Sequence, residues 1–279
     1  MLILYFSGTG NTQYVAETFC EKMNAFSSPD SSVLNDVISI EAKIDFAQHM
    51  NKHDCVALCY PIYGSRVPYM MRVFVHKYRD VFKHKKLVVL ITQAVFSGDG
   101  ARVLCDLIPG SESNVLYAEH IAMPSNICNF IYPRMFNTKK VRAALAKADK
   151  KLDRICFDIN KNKIVRRGFN PLSKLLGLIQ GSAWQGKSRC VTPLKNSMEH
   201  RCMSDVRIGK DCNACGICVR ACPMKNLVDS NKIITQKHQC TACYRCVNVC
   251  PKKAITVFIH KKPKWQYRLD LIKNMERNI

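Results

Sequence analysis

The chain has 279 residues, sixteen of them cysteine, and a formal net charge of +22 from 43 Lys and Arg against 21 Asp and Glu. That length accommodates one domain of ordinary size plus a small one. No run of about 18 apolar residues occurs, and the apolar start Met1-Leu-Ile-Leu-Tyr-Phe6 lacks a basic flank and a cleavage site, so neither a membrane span nor secretion is expected.

The first predicted element is a strand, Leu2–Phe6, followed at once by Ser7-Gly8-Thr9-Gly10-Asn11-Thr12 and a helix beginning at Gln13. Two glycines let the backbone approach a ligand, three hydroxyls donate, and the helix N-terminus presents N–H groups to an anion. Position 13 is Gln13 where a dinucleotide fingerprint needs glycine, and the Gly-Lys-Ser/Thr of a P-loop is absent. An N-capped turn is the plain alternative. Four further strands are expected at Val37–Ile40, Cys55–Tyr60, Leu87–Thr92 and Val115–Ala118, alternating with helices, as in a five-stranded doubly wound parallel α/β sheet.

The first loop resembles that of the flavodoxins, whose Ser/Thr-rich turn wraps the FMN phosphate. The resemblance implies an FMN site built on Ser7, Gly8, Thr9, Gly10, Asn11 and Thr12. The loop after the third strand, with Pro61, Ile62, Tyr63 and Gly64, is similar to one that flanks the flavin ring. The loop after the fourth, with Thr92, Phe96 and Gly98, stands in the position of the second ring-contacting loop but departs from the short glycine-rich form. Met123-Pro-Ser-Asn126 resembles a recurring feature of the fusion family named below and has no readable role.

Apolar residues at Val141, Leu145, Ala148, Leu152, Ile155 and Ile159 form one stripe of a basic helix, expected to close the sheet domain at about residue 165. Residues 166–203 read as a glycine- and proline-containing connector. Within it Phe169–Gln180 is expected to pack between domains, with a surface-lying membrane segment as the alternative.

Residues 204–262 carry the strongest signal, Cys212-x2-Cys215-x2-Cys218-x3-Cys222-Pro223, repeated 28 positions later as Cys240, Cys243, Cys246 and Cys250-Pro251. In such runs three thiolates hold one [4Fe-4S] cubane and the fourth ligates the other. Cys212, Cys215, Cys218 and Cys250 are therefore assigned to the first cluster, and Cys240, Cys243, Cys246 and Cys222 to the second. Structural zinc usually takes two cysteine pairs, and disulfides do not account for the duplicated run. This small α+β unit resembles the bacterial two-cluster ferredoxins, and residues 263–279 read as a basic tail. The remaining cysteines lack disulfide-like spacing, which points to a reducing cytoplasm.

Together the halves resemble a fusion family of electron-transfer flavoproteins, implying one-electron exchange between two low-potential clusters and FMN and onward to a redox partner. The alternatives are an FMN-dependent reductase of a quinone-like, tetrapyrrole-derived or unsaturated compound, and a binding protein with structural clusters. No catalytic residue is assigned, because none of the eight histidines forms a spaced pair with a carboxylate or cysteine. The charge implies an acidic protein partner or peripheral contact with an anionic membrane. Nucleic acid is not expected, since no recognition motif accompanies the charge.

Overall fold

The computed structural model describes residues 1–26, 34–94, 96–129, 138–184 and 191–269. Leu2–Tyr5 (β1), Asp36–Ser39 (β2), Cys55–Pro61 (β3), Lys86–Gln93 (β4), Val115–Ala122 (β5) and Val165–Arg166 (β6) form one sheet. Their order is β2-β1-β3-β4-β5-β6, and every pairing is parallel. The sequence predicts five strands and the sheet has six. The additional β6 pairs only Val165 and Arg166 with Tyr117 and Ala118, too short for any periodicity to reveal.

The central strands are apolar throughout because both sheet faces are covered. Leu2, Leu4, Val56, Leu58, Leu87, Val89 and Ile91 enter one core, while the alternating Ile3, Ala57, Cys59, Val88 and Leu90 enter the other. Helices Phe46–Asn51 (α2), Tyr69–Lys77 (α3) and Arg79–Phe82 (α4) supply Phe46, Met50, Met71, Phe74, Val75 and Phe82 to the first core. Asn11–Ala25 (α1) and Thr138–Asn160 (α5) close the second, to which α5 contributes Val141, Ala148, Leu152 and Ile155 from its predicted stripe.

The connector contains Pro171–Trp184 (α6) and Met198–Met203 (α7). Phe169–Gln180, expected to pack between domains, is packed on one side of the helix it forms. Gly177 and Gly181 lie against Asp99 and Arg66, where no Cβ fits, but Leu172, Leu175, Leu178 and Ile179 on the opposite side are exposed. Helix α7 is tied to α3 by the buried pair Arg72–Glu199, at 2.7 Å.

The C-terminal unit holds two short antiparallel pairs, Arg207–Ile208 (β7) with Ile255–Thr256 (β10), and Leu227–Ser230 (β8) with Ile233–Gln236 (β9). Asn231 and Lys232, both at positive φ, make the tight β8–β9 turn. Helices Ile217–Ala221 (α8) and Arg245–Val249 (α9) follow the two cysteine loops. The stretch read as a basic tail is not free over its described part. Tyr267 and Leu269 are buried in the α1–α5 core, while residues 270–279 lie outside the described residues. Among the described residues no helix is long and apolar enough to cross a membrane.

Candidate functional site

At the C-terminal end of β1 the chain turns through Ser7–Gly10 into α1. Gly10, at φ 100°, is the N-cap, a left-handed conformation that a side chain would strain. Ser7 Oγ accepts from Gly10 N at 3.1 Å, and Thr12 Oγ1 lies 2.7 Å from Thr92 Oγ1, which anchors the helix start to the end of β4. Asn11 Nδ2 donates to Pro124 O at 2.7 Å, which ties in the loop after β5.

These elements enclose a cavity of about 340 Å³ at the carboxyl ends of β1, β3 and β4, where ligands of open parallel sheets bind. It is lined by Ser7, Gly8, Thr9, Asn11 and Thr12 from the first loop, Pro61, Ile62, Tyr63 and Gly64 from the second, and Thr92. Gly10 supports the turn from behind instead of lining the cavity. The prediction fails for Phe96 and Gly98, neither of which lines it. Phe96 is exposed, and Gly98 is turned against Ser173 and Gly177, because this long loop is occupied with seating α6.

The cavity wall also holds residues that sequence reasoning missed. Ala242 and Tyr244 of the second cysteine loop, Phe258, Trp184 at the end of α6, and Met123–Ile127 complete it. A Cβ on Gly8 would stand 2.7 Å from the Cys243 carbonyl, so the first loop and the second cysteine loop touch backbone to backbone. Asn126 Nδ2 donates to that same carbonyl at 3.0 Å, which gives part of the Met123–Asn126 segment a role. Arg245 donates to Ser7 O and Gly8 O at 2.6 and 3.1 Å, to Ala221 O at 3.2 Å, and bidentately to Glu41 at 2.6 and 2.9 Å. A single Arg at the centre of a repeat unit carries no signal that Ser7, Gly8 and Glu41, more than 200 residues away, are its partners.

Among the described residues no Lys or Arg lines the cavity, and the groups there that suit an anion are hydroxyls and the α1 first-turn N–H groups, which have no helical acceptor. Tyr63 is in place to meet a ligand: its hydroxyl is buried, has no hydrogen-bond partner among the described residues, and has its pKa raised by burial and then by the neighbouring Cys243. A flavin with its phosphate fits this donor set, which leaves a phenol to be satisfied by the occupant.

The two cysteine loops are conformational copies. Ala214 and Ala242, Gly216 and Tyr244, and Lys225 and Lys253 all take positive φ, each pair 28 residues apart. Ala214 N and Ala242 N donate to Cys212 and Cys240 Sγ at 3.4 and 3.3 Å, while Asn226 N and Ala254 N donate to Cys222 and Cys250 Sγ at 3.3 Å. The thiols gather in the crossed sets. Cys218, raised to about 11 by burial, has Cys250, Cys212 and Cys215 as charged neighbours; Cys246, raised further by burial, has Cys243, Cys240 and Cys222 first among its neighbours. Buried thiols crowded this way suit a polynuclear iron centre whose positive charge holds them as thiolates. Among the described residues no three metal-binding side chains converge on one ion.

A family profile described as a flavodoxin domain matches residues 2–115, and one described as a 4Fe-4S dicluster domain matches residues 211–255. No curated protein matches the chain. Similar solved structures include a flavodoxin from the domain Archaea, at 12% identity over 57% of this chain and 95% of that one, TM-score 0.39. They also include oxidised Flavodoxin 2 from Bacillus cereus, at 19% over 53% and 97%, TM-score 0.31. A protein described as a flavone reductase is 8% identical over 100% and 91%, TM-score 0.33. Strands β1 to β4 with the first-loop side of the cavity fall in the first matched segment and the duplicated cysteine loops in the second, and the chain is a flavodoxin–ferredoxin fusion, an iron–sulfur flavoprotein of electron transport.

Proposed function

We propose that this chain holds FMN in the strand-end cavity and two [4Fe-4S] clusters on its crossed cysteine sets, and that it passes electrons between an external protein and the flavin through its own clusters. The observation that carries the reading is the shared wall: Ala242 and Tyr244, on either side of Cys243, line the same cavity as Ser7, Gly8, Thr9, Asn11 and Thr12. When bound, the clusters supply single electrons and the flavin accepts one or two, so the chain joins two kinds of carrier.

The residues divide that work. Cys240, Cys243, Cys246 and Cys222 hold the inner cluster, and Cys212, Cys215, Cys218 and Cys250 the outer one, where Cys215 is exposed. Lys210, Lys252 and Lys262 surround Asp211 beside Cys212 and suit an acidic redox partner at that end. Arg245 and Asn126 keep the inner cysteine loop against the first loop, while Trp184 and Phe258 add aromatic surface to the cavity wall. A second reading, reduction of a flat apolar compound at the flavin, draws on that aromatic surface, in which the Trp184 ring lies 6.5 Å from both Tyr63 and Phe258.

Anaerobically purified protein is expected to carry about eight irons, about eight sulfides and about one FMN per chain. The Cys250→Ser variant should lower the iron content and perturb the spectrum of the centre held by the first run. Zinc without sulfide, or a flavin other than FMN, overturns the corresponding assignment.

A further inference from the structure

Helix α6 is amphipathic in the inverted sense. Gly177 and Gly181 are buried against Asp99 and Arg66, whereas Leu172, Leu175, Leu178 and Ile179 are 66, 55, 44 and 62% exposed. At 100° per residue these four side chains fall within one half of the helix circumference. Phe96, in the loop that seats the helix through Gly98, is itself 52% exposed. An exposed apolar face of this kind marks a binding surface.

The surrounding charge selects the occupant. From Ile159 to Met198 the sequence contains eight Lys and Arg and no Asp or Glu. Lys174 is exposed on the helix itself, and Arg166 and Arg167 precede it. A second copy of a chain with net charge +22 would bring like charge against this surface, whereas an anionic lipid surface is complementary to both its leucines and its lysines. The helix has 14 residues, a length of about 21 Å that falls short of a bilayer core, so it suits lying in the interface and not spanning it.

We infer that α6 is an interfacial helix that seats the protein on an anionic phospholipid membrane, with Leu172, Leu175, Leu178 and Ile179 in the acyl boundary and the flanking basic residues among the headgroups. Because Trp184 ends this helix and also lines the strand-end cavity, membrane seating places the cavity mouth beside the lipid. The docking itself does not depend on which electron acceptor is used or on the cofactor assignment.

The test is co-sedimentation of the purified full-length holoprotein with vesicles of phosphatidylcholine alone or mixed with phosphatidylglycerol. Binding to the anionic vesicles, absent with phosphatidylcholine alone and weakened by salt, is the expected result. The Leu175→Ser/Ile179→Ser variant keeps every charge and replaces only exposed side chains, so iron and flavin content should match the parent while partition falls about tenfold or more. Equal partition of variant and parent would mean plain electrostatic adsorption and overturn the proposal. So would absence of binding to anionic vesicles, or a lipid-free dimer that the same variant dissociates. If cofactor content proves different from that proposed above, the vesicle result still stands on its own.

Discussion

Gly8 has no space for a side chain because of a residue 235 positions away, the Cys243 carbonyl at 2.7 Å from an added Cβ. In Gly8→Ala one backbone must retreat from the other, and overpacking of this sort costs about 1–3 kcal/mol. Flavin affinity is expected to fall by about tenfold or more while iron content is retained, read by ultrafiltration and iron assay. His120 offers a second test. It is buried beside Ser97 Oγ, 3.3 Å from Nδ1, with Glu119, Lys151 and Arg167 as charged neighbours, and burial lowers its pKa from 6.5 to about 4. The folded state therefore keeps it neutral while the unfolded chain takes up a proton below 6.5. Its contribution is present above that value and is lost as pH falls from 6.5 toward about 4. His120→Gln should flatten the acid limb of urea-midpoint stability over that range, and an unchanged limb would assign the loss to other groups.

Among the elements, α7 depends on one buried ion pair. Arg72 and Glu199 side chains are 1 and 4% exposed, and Arg72 also donates to Val67 O at 2.6 Å and Val191 O at 3.3 Å. Removing one partner leaves an uncompensated charge, so Glu199→Leu is expected to destabilise the fold by about 3–5 kcal/mol in denaturant unfolding. The double variant Arg72→Met/Glu199→Leu should recover much of that loss, since both charges are then gone. The cysteine loops show how local sequence and packing divide the work. Gly216 reaches positive φ without strain, whereas its counterpart Tyr244 accepts φ 61° and is held there by a buried hydroxyl donating to Val257 O at 2.6 Å.

At the scale of the whole molecule, the two domains share structure and do not behave as beads on a tether. Cys128 and Ile127, from the loop after β5, sit in or against the core of the cysteine-rich unit, and Tyr267 returns from that unit to the α1 side. Tyr267 N donates to Asn248 Oδ1 and its hydroxyl to Asn11 Oδ1, both at 2.6 Å, so one residue bridges a cysteine-loop helix through its backbone and the first loop through its side chain. Tyr267→Ala is expected to cost about 3–5 kcal/mol from the cavity left behind and to weaken flavin retention more than iron retention, measured by thermal unfolding together with cofactor content. Equal loss of both cofactors would make the strap a general stabiliser and not a link to the first loop.

What could be read before folding was whatever repeats or alternates locally. The 28-residue repeat brings its own ligand chemistry, and the apolar strand runs and the α5 stripe follow from the periods of strand and helix. The glycines and hydroxyls of Ser7–Thr12 are legible because a tight turn before a helix requires them wherever it occurs. The two-residue β6, the departure of Phe96 and Gly98 from the cavity, and the leucine face that α6 turns outward depend on what packs against each segment, which no local pattern records. The contact of Gly8 with Cys243, the reach of Arg245 to Ser7 and Glu41, and the return of Tyr267 join residues more than 200 positions apart. Sequence therefore determined which cofactor chemistries the chain is equipped for. Only the tertiary structure decided that the first loop and the second cysteine loop form one wall, because that wall exists only after two distant loops have met.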